Sequence, residues 1–182
     1  MDLALSAFLG IGLAAAVGFR IFLPFLIISL AAQFELLQLS SGFEWIGTNT
    51  AMVLFGTASV IELLAYYIPW FDNLLDAITA PAAIICGSLI MASAMVEIEP
   101  WIKWTLAIIA GGGTAGLIKG TSSTTRAVSS VTTAGLGNSL IATIEVLGSI
   151  GLSLLSVFIP LLALLVVLYL TYKILSRAKT LP

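Results

Sequence analysis

Histidine is absent from the 182 residues, cysteine occurs once, as Cys86, and only 9% of residues are charged. The missing histidines and the single thiol exclude His/Cys metal sites and an intramolecular disulfide framework. Cys86, inside an apolar run, reads as a small packing residue. A soluble domain carries roughly 25% charged residues, so the shortage of charge excludes an ordinary water-exposed globule. What fills the chain is apolar, at 60% of residues. With about 20 residues per span, the length allows about five to seven helices and leaves no room for a soluble domain. The expected fold is an all-α integral membrane protein, with residues 1–182 forming a single membrane domain. The formal charge of −2 says little about partners, because the charges are segregated along the chain. Membrane lipids surround such a chain, nothing calls for nucleic acid or a cofactor, and a homo-oligomer is compatible with it.

Met1-Asp2-Leu3 lacks the positive n-region of a secretory signal, so the first apolar segment reads as a retained helix. Windows of about 19 residues pick out six segments. The first, Leu3 to Ala32, is too long for a simple span and is interrupted by Gly18-Phe19-Arg20 and Pro24. The second runs from Thr48 to Ile68, ending at Pro69, and the third from Leu74 to Met95. The fourth begins after Pro100 and runs into Gly111-Gly112-Gly113. The fifth, Ala134 to Leu155, and the sixth, Pro160 to Leu175, read either as separate spans or as one kinked helix. Between the fourth and fifth lies Lys119-Gly-Thr-Ser-Ser-Thr-Thr-Arg126, polar throughout. It reads as an aqueous loop or as a re-entrant, unwound segment lining a cavity, the setting in which irregular backbone is tolerated at membrane depth.

Two segments carry a lone glutamate within a membrane-length apolar run: Ser59-Val-Ile-Glu62-Leu-Leu and Ala142-Thr-Ile-Glu145-Val-Leu. The same offset aligns Thr50-Ala51 with Thr133-Ala134. Buried carboxylates in lipid are costly, and weak internal symmetry around intramembrane charges is typical of transporters built from two repeats. Chance likeness of two apolar helices is the competing explanation. Three spans per half predict an inverted 3+3 repeat, with repeat one over about 1–97 and repeat two over about 101–178. Each half would supply an interrupted helix with a cation at the break, then a helix with a glutamate. An insertion holding Glu35 and Glu44 weakens the alignment.

Lys119 with Arg126, and Lys173, Arg177 and Lys179, fall on one side of a six-span arrangement, together with both termini. The positive-inside rule makes that side cytoplasmic. Lys103, beside Glu97 and Glu99, is the exception, and Trp45, Trp70, Trp101 and Trp104 sit at span ends as interfacial anchors.

Glu62 and Glu145 have apolar neighbours on both sides, so neither snorkels easily to water. They serve either as buried ion-pair partners that fix packing or as proton-coupling groups. Arg20, between a glycine and a proline, is their natural partner. Arginine and lysine at Arg20, Lys119 and Arg126 suggest an anionic ligand, since guanidinium binds carboxylate and phosphate through a planar fork. Ser122, Ser123, Thr124 and Thr125 add hydroxyl donors beside them. Three interior cations against two glutamates would leave one net positive charge for a substrate. The run Gly111-Gly-Gly-Thr-Ala-Gly116 fails as a phosphate loop, because Leu117 follows where Lys-Ser/Thr is needed. Its glycines, with Gly10, Gly12, Gly148 and Gly151, permit close helix approach.

Gly18-Phe-Arg-Ile-Phe-Leu-Pro-Phe25 and the run from Gly111 to Arg126 resemble the membrane family catalogued as domain of unknown function four-one-two-six. The resemblance covers nearly the whole chain. It implies a small multi-pass membrane protein and carries no activity or active site. Function is therefore expected from the residues: a bacterial inner-membrane, transporter-like protein moving an anionic solute or lipid headgroup, with proton coupling through Glu62 and Glu145. An uncoupled channel or lipid scramblase, or a structural subunit of a larger complex, are the rival expectations. No nucleophile–base set or metal site supports an enzyme.

Overall fold

Apolar side chains on the outside and small or polar ones within are the pattern a lipid-facing helix must adopt, and α7 (Asn138–Phe158) has it. It buries Asn138, Ala142, Glu145, Ser149 and Ser156 and exposes Leu140, Ile144, Leu147 and Leu154. The computed structural model describes residues 3–68 and 71–178, all helix and connecting turns, with no strand among them. Pro69, Trp70 and Lys179, noted above, lie outside the described residues. Five stretches are long and apolar enough to cross a membrane: α3 (Asn49–Tyr66), Leu74–Ala94 of α4 (Phe71–Ala94), Pro100–Thr133, α7 and Pro160–Arg177 of α8 (Pro160–Ala178). The chain is thus an all-helical, membrane-type fold.

The first apolar segment is two shorter helices, α1 (Leu3–Phe19) and α2 (Phe22–Gln33), parted at Arg20 and Ile21. Pro24 is tolerated in the first turn of α2, where its missing N–H has no intrahelical acceptor. The chain turns back at this break. Gly10 packs on Met91 near the end of α4, and Gly18 lies deeper, against Ala115 and Ile118. Beyond α2, Ser40 N–H donates to Ser93 O at 2.8 Å, again beside the end of α4. Between these points α2 runs alongside α7, from Arg20 at Glu145 to Phe34 at Phe158. α1 and α2 therefore form a helical hairpin with Arg20 at its tip. It enters and leaves at the Ser40 end of the bundle.

After a short 3₁₀ turn (Glu44–Gly47), Thr48 Oγ1 caps α3 by accepting Ala51 N–H at 3.2 Å. α3 runs toward the opposite, Asp76 end, and α4 returns with Pro81 inside it. Pro100 opens α5 (Pro100–Leu106), which passes through a π-helical stretch (Ala107–Gly112) directly into α6 (Gly113–Thr133). The 34 residues form one unbroken rod of about 51 Å at about 1.5 Å per residue.

Several expectations change here. Lys119 to Arg126 is neither loop nor unwound segment but the middle of α6. The irregular backbone of the second half lies at Ala107–Gly112, a turn or more before Lys119. The first half's broken segment reverses direction, whereas its counterpart passes straight through. Lys119 and Arg126 are buried, so they cannot count as loop charges in the orientation argument. With five crossing stretches and a hairpin, the start of α1 and the end of α8 lie at opposite ends of the bundle. The fifth and sixth segments are separate helices, divided at Ile159.

Glycine sets how closely the rods approach. A Cβ on Gly111 would lie 2.7 Å from Gly87 O, and one on Gly87 would lie 2.9 Å from Gly111 O. The π-helical stretch widens the helix where these two backbones touch.

Candidate functional site

Six charged side chains converge around the hairpin tip, toward the Asp76 end of the bundle. α6 supplies Lys119, Ser122 and Arg126, which its helical period places on one buried face with Ala115 and Ile118. α7 supplies Glu145, α4 supplies Asp76, α3 supplies Glu62 and Tyr66, and the hairpin supplies Arg20. Arg126 is 0% exposed and Arg20 1%.

Glu145 is the centre of one half of the network. Arg20 Nη2 lies 3.1 Å from its Oε2, and the same nitrogen donates to Ala142 O at 3.2 Å. Arg126 also pairs with Glu145, through Nε to Oε1 at 3.2 Å and through Nη2 to Oε2, while Ser122 Oγ donates to Oε1. One carboxylate is thus shared between two guanidiniums and a hydroxyl.

Asp76 is the centre of the other half. Its Oδ1 accepts from Lys119 Nζ at 2.7 Å and from Tyr66 Oη at 3.1 Å, and Arg126 Nε lies 3.8 Å from Oδ2. Lys119 also donates to Tyr66 Oη at 2.8 Å. The Tyr66 ring carries the Arg20 and Arg126 guanidinium carbons 3.9 Å and 4.4 Å from its centroid, so cation–π attraction joins the halves.

Glu62 behaves differently from Glu145. Its two oxygens accept the backbone N–H groups of Ile21 and Phe22 at 3.0 Å and 3.1 Å. These are donors left over at the start of α2, where a carboxylate also meets the positive end of the helix dipole. Glu62 caps the hairpin tip from a neighbouring helix.

Every carboxylate in the network is occupied, but the guanidiniums are not. Arg20 Nε and Nη1 and Arg126 Nη1 are buried without an acceptor. A guanidinium offers five N–H donors, and the buried side-chain atoms of the network left without a partner are all guanidinium nitrogens. A buried donor without an acceptor is costly, which suits the site to an acceptor-rich ligand.

A recess of about 280 Å³ lined by Phe19, Ile118, Ser122, Ile144 and Glu145 reaches this network from the side. It shares Thr121, Thr125, Leu170 and Ile174 with a larger groove of about 810 Å³ between α6 and α8, at whose end Lys173 and Arg177 stand.

Of the residues singled out in sequence, Arg20, Lys119, Arg126, Ser122, Glu62 and Glu145 come together. Thr124 and Thr125 do not. They lie exposed on the groove side of α6, with their hydroxyls donating to Gly120 O and Thr121 O, both at 2.8 Å. Ser123 Oγ has no partner and belongs to neither ion cluster. Asp76 and Tyr66 are additions. Asp76 stands within the apolar run from Leu74, which is a readable signal, whereas nothing in the sequence marks Tyr66. Asp76 also changes the charge count: three cations face three carboxylates, and no net positive charge remains. Lys103 is buried at the other end, donating to Ser40 Oγ at 2.9 Å. Among the described residues no group of three or more potential metal-binding side chains occurs.

Residues 7–178 match the family described as Domain of unknown function (DUF4126), and the chain belongs to that family. No curated protein and no solved structure matches it.

Proposed function

We propose that this family member is a proton-linked carrier of a small anion in a bacterial inner membrane. The observation that carries the reading is the position of Glu145, which both holds Arg20 and Arg126 and lines the recess. With all six groups charged, the network is neutral. A proton delivered through the recess to Glu145 removes the carboxylate that the two guanidiniums share and leaves one net positive charge. The freed N–H groups of Arg20 and Arg126 then take a carboxylate or phosphate-like anion through charge-assisted bonds. Loss of the proton restores Glu145 as the internal competitor and expels the anion. Glu62, engaged with backbone at the hairpin tip, serves as an anchor in this cycle.

Lys173 and Arg177 support a cytoplasmic Asp76 end through the positive-inside rule, with the start of α1 at the opposite end of the bundle. The match of Ile61-Glu62 on α3 with Ile144-Glu145 on α7 supports a common origin of the halves, whose first segments have since taken different paths. An uncoupled channel or lipid scramblase is a second reading, favoured by the sideways opening of the groove between α6 and α8.

Thermal unfolding of the purified chain tests the binding step. With inorganic phosphate, sulfate or a short carboxylate, at least one anion stabilises Glu145→Gln, which stands in for the protonated carboxyl, more than it stabilises wild type at the same neutral pH, because ligand that binds only the folded state raises stability by mass action. Equal or smaller stabilisation of the variant, or no response to any of the three, contradicts the reading.

A further inference from the structure

We propose that the groove between α6 and α8 is a binding site for an anionic phospholipid, with one acyl chain along α6 and the phosphate held by Lys173 and Arg177. The inference is independent of proton-linked transport and rests on the shape, chemistry and charge of the groove.

Its wall is more apolar than its sequence. Thr121, Thr124 and Thr125 contribute hydroxyls that donate to Leu117 O, Gly120 O and Thr121 O at 2.9, 2.8 and 2.8 Å. Back-bonding to the carbonyl four residues earlier satisfies each hydroxyl within its own helix. What remains toward the groove is methyl and methylene surface, with Leu117 beside it and Leu170 and Ile174 from α8. Such a wall suits a hydrocarbon chain and offers little to a free polar solute.

Its floor is open. A Cβ added at Gly120 meets nothing within 4 Å. From Gly116 to Val128 the groove follows α6 for about 18 Å, at about 1.5 Å per residue. That is close to the depth of one leaflet, given a hydrocarbon core of about 30 Å. The volume of about 810 Å³ lies in the range of roughly 300–1,000 Å³ that ligand cavities occupy.

Its charge is one-sided. Among the described residues of the lining, Lys173 and Arg177 are the charged ones, and both are basic. Both are exposed in the last turns of α8, and Lys173 Nζ lies 5.6 Å from the Tyr169 ring. Cations at the end of a spanning helix meet the headgroup region, where they attract anionic lipid. An apolar trough one leaflet deep that ends in two cations is complementary to an anionic phospholipid. A partner helix seated there would need its own carboxylates.

The test is native mass spectrometry of the purified full chain titrated with phosphatidylglycerol and with phosphatidylcholine of the same acyl chains. Phosphatidylglycerol is retained about tenfold more strongly, a difference of about 1.4 kcal/mol. The Lys173→Gln/Arg177→Gln double variant loses the preference. Gly120→Leu, which fills the floor, loses both lipids while its thermal unfolding matches wild type. If Gly120→Leu does not accumulate, Thr124→Leu on the same exposed wall replaces it. Equal retention of the two lipids overturns the proposal. So does competition by glycerol phosphate as effective as that of the lipid, which marks a free-anion site, or a co-purifying protein in place of lipid. Lipid retention is measured at one pH and without added anion, so failure of proton coupling and failure of this site are read separately.

Discussion

Arg20 and Glu145, from opposite halves of the chain, meet at 3.1 Å with both side chains buried. The contact ties the hairpin tip to α7, and Arg126 joins it through the same carboxylate oxygen. Removing one partner of a buried pair leaves the other uncompensated and costs about 3–5 kcal/mol. Arg20→Ala and Glu145→Ala are therefore each strongly destabilising. The double variant is less destabilised than the two added together. A double-mutant cycle on unfolding in detergent measures this, and strict additivity contradicts the pairing.

Glu62 is expected to act on folding. Glu62→Ala strands the N–H groups of Ile21 and Phe22, at about 1–3 kcal/mol for each buried group left unpaired. Glu62→Gln keeps one acceptor oxygen and recovers part of that loss. Thermal unfolding of the two variants separates these effects. If both match wild type, Glu62 does not cap the tip.

Close backbone contact makes glycine indispensable at one position and dispensable two residues away. Gly111→Ala forces a Cβ against Gly87 O and costs about 1–3 kcal/mol. Gly113→Ala meets nothing within 4 Å and, in a helix, stabilises by about 0.4–1 kcal/mol. Unfolding midpoints that rank the two variants the other way contradict the packing of α4 on the π-helical stretch.

The hairpin has a direct topological test. In a Cys86→Ser background, Leu5→Cys and Glu35→Cys label with a membrane-impermeant maleimide from one side, and Ser176→Cys labels from the other. A simple first span would instead put residues 5 and 35 on opposite sides.

The sequence conveys what depends on composition and on local breaks. The helical class and the break between Gly18 and Pro24 follow from hydropathy, from the N–H that proline lacks and from the side chain that glycine lacks, whereas the division before Pro160 stays open in the sequence. It conveys long-range direction poorly. Nothing local at Arg20 says whether the chain goes on or turns back, because Met91 and Ser93 decide that from another helix. The Lys119–Arg126 stretch reads as a loop or an unwound segment because serine and threonine are weak helix formers in water. In α6, hydroxyls at Thr121, Thr124 and Thr125 bond inward and its charges find Asp76 and Glu145. Glu62 and Glu145 share a local sequence, yet one meets backbone and the other guanidinium, a difference set wholly by neighbours. Asp76 shows the limit of counting charges before their partners are known.

The coupled binding of a proton at Glu145 and an anion at Arg20 and Arg126 is tested most directly in liposomes that hold a pH-sensitive dye. An inward gradient of phosphate, sulfate or a short carboxylate, with membrane potential clamped, should carry protons inward with at least one of the three. Glu145→Gln, neutral at every pH, should abolish that proton movement while radiolabelled anion still exchanges across the membrane. Anion movement in wild type without protons, or proton movement undiminished in Glu145→Gln, would contradict the account.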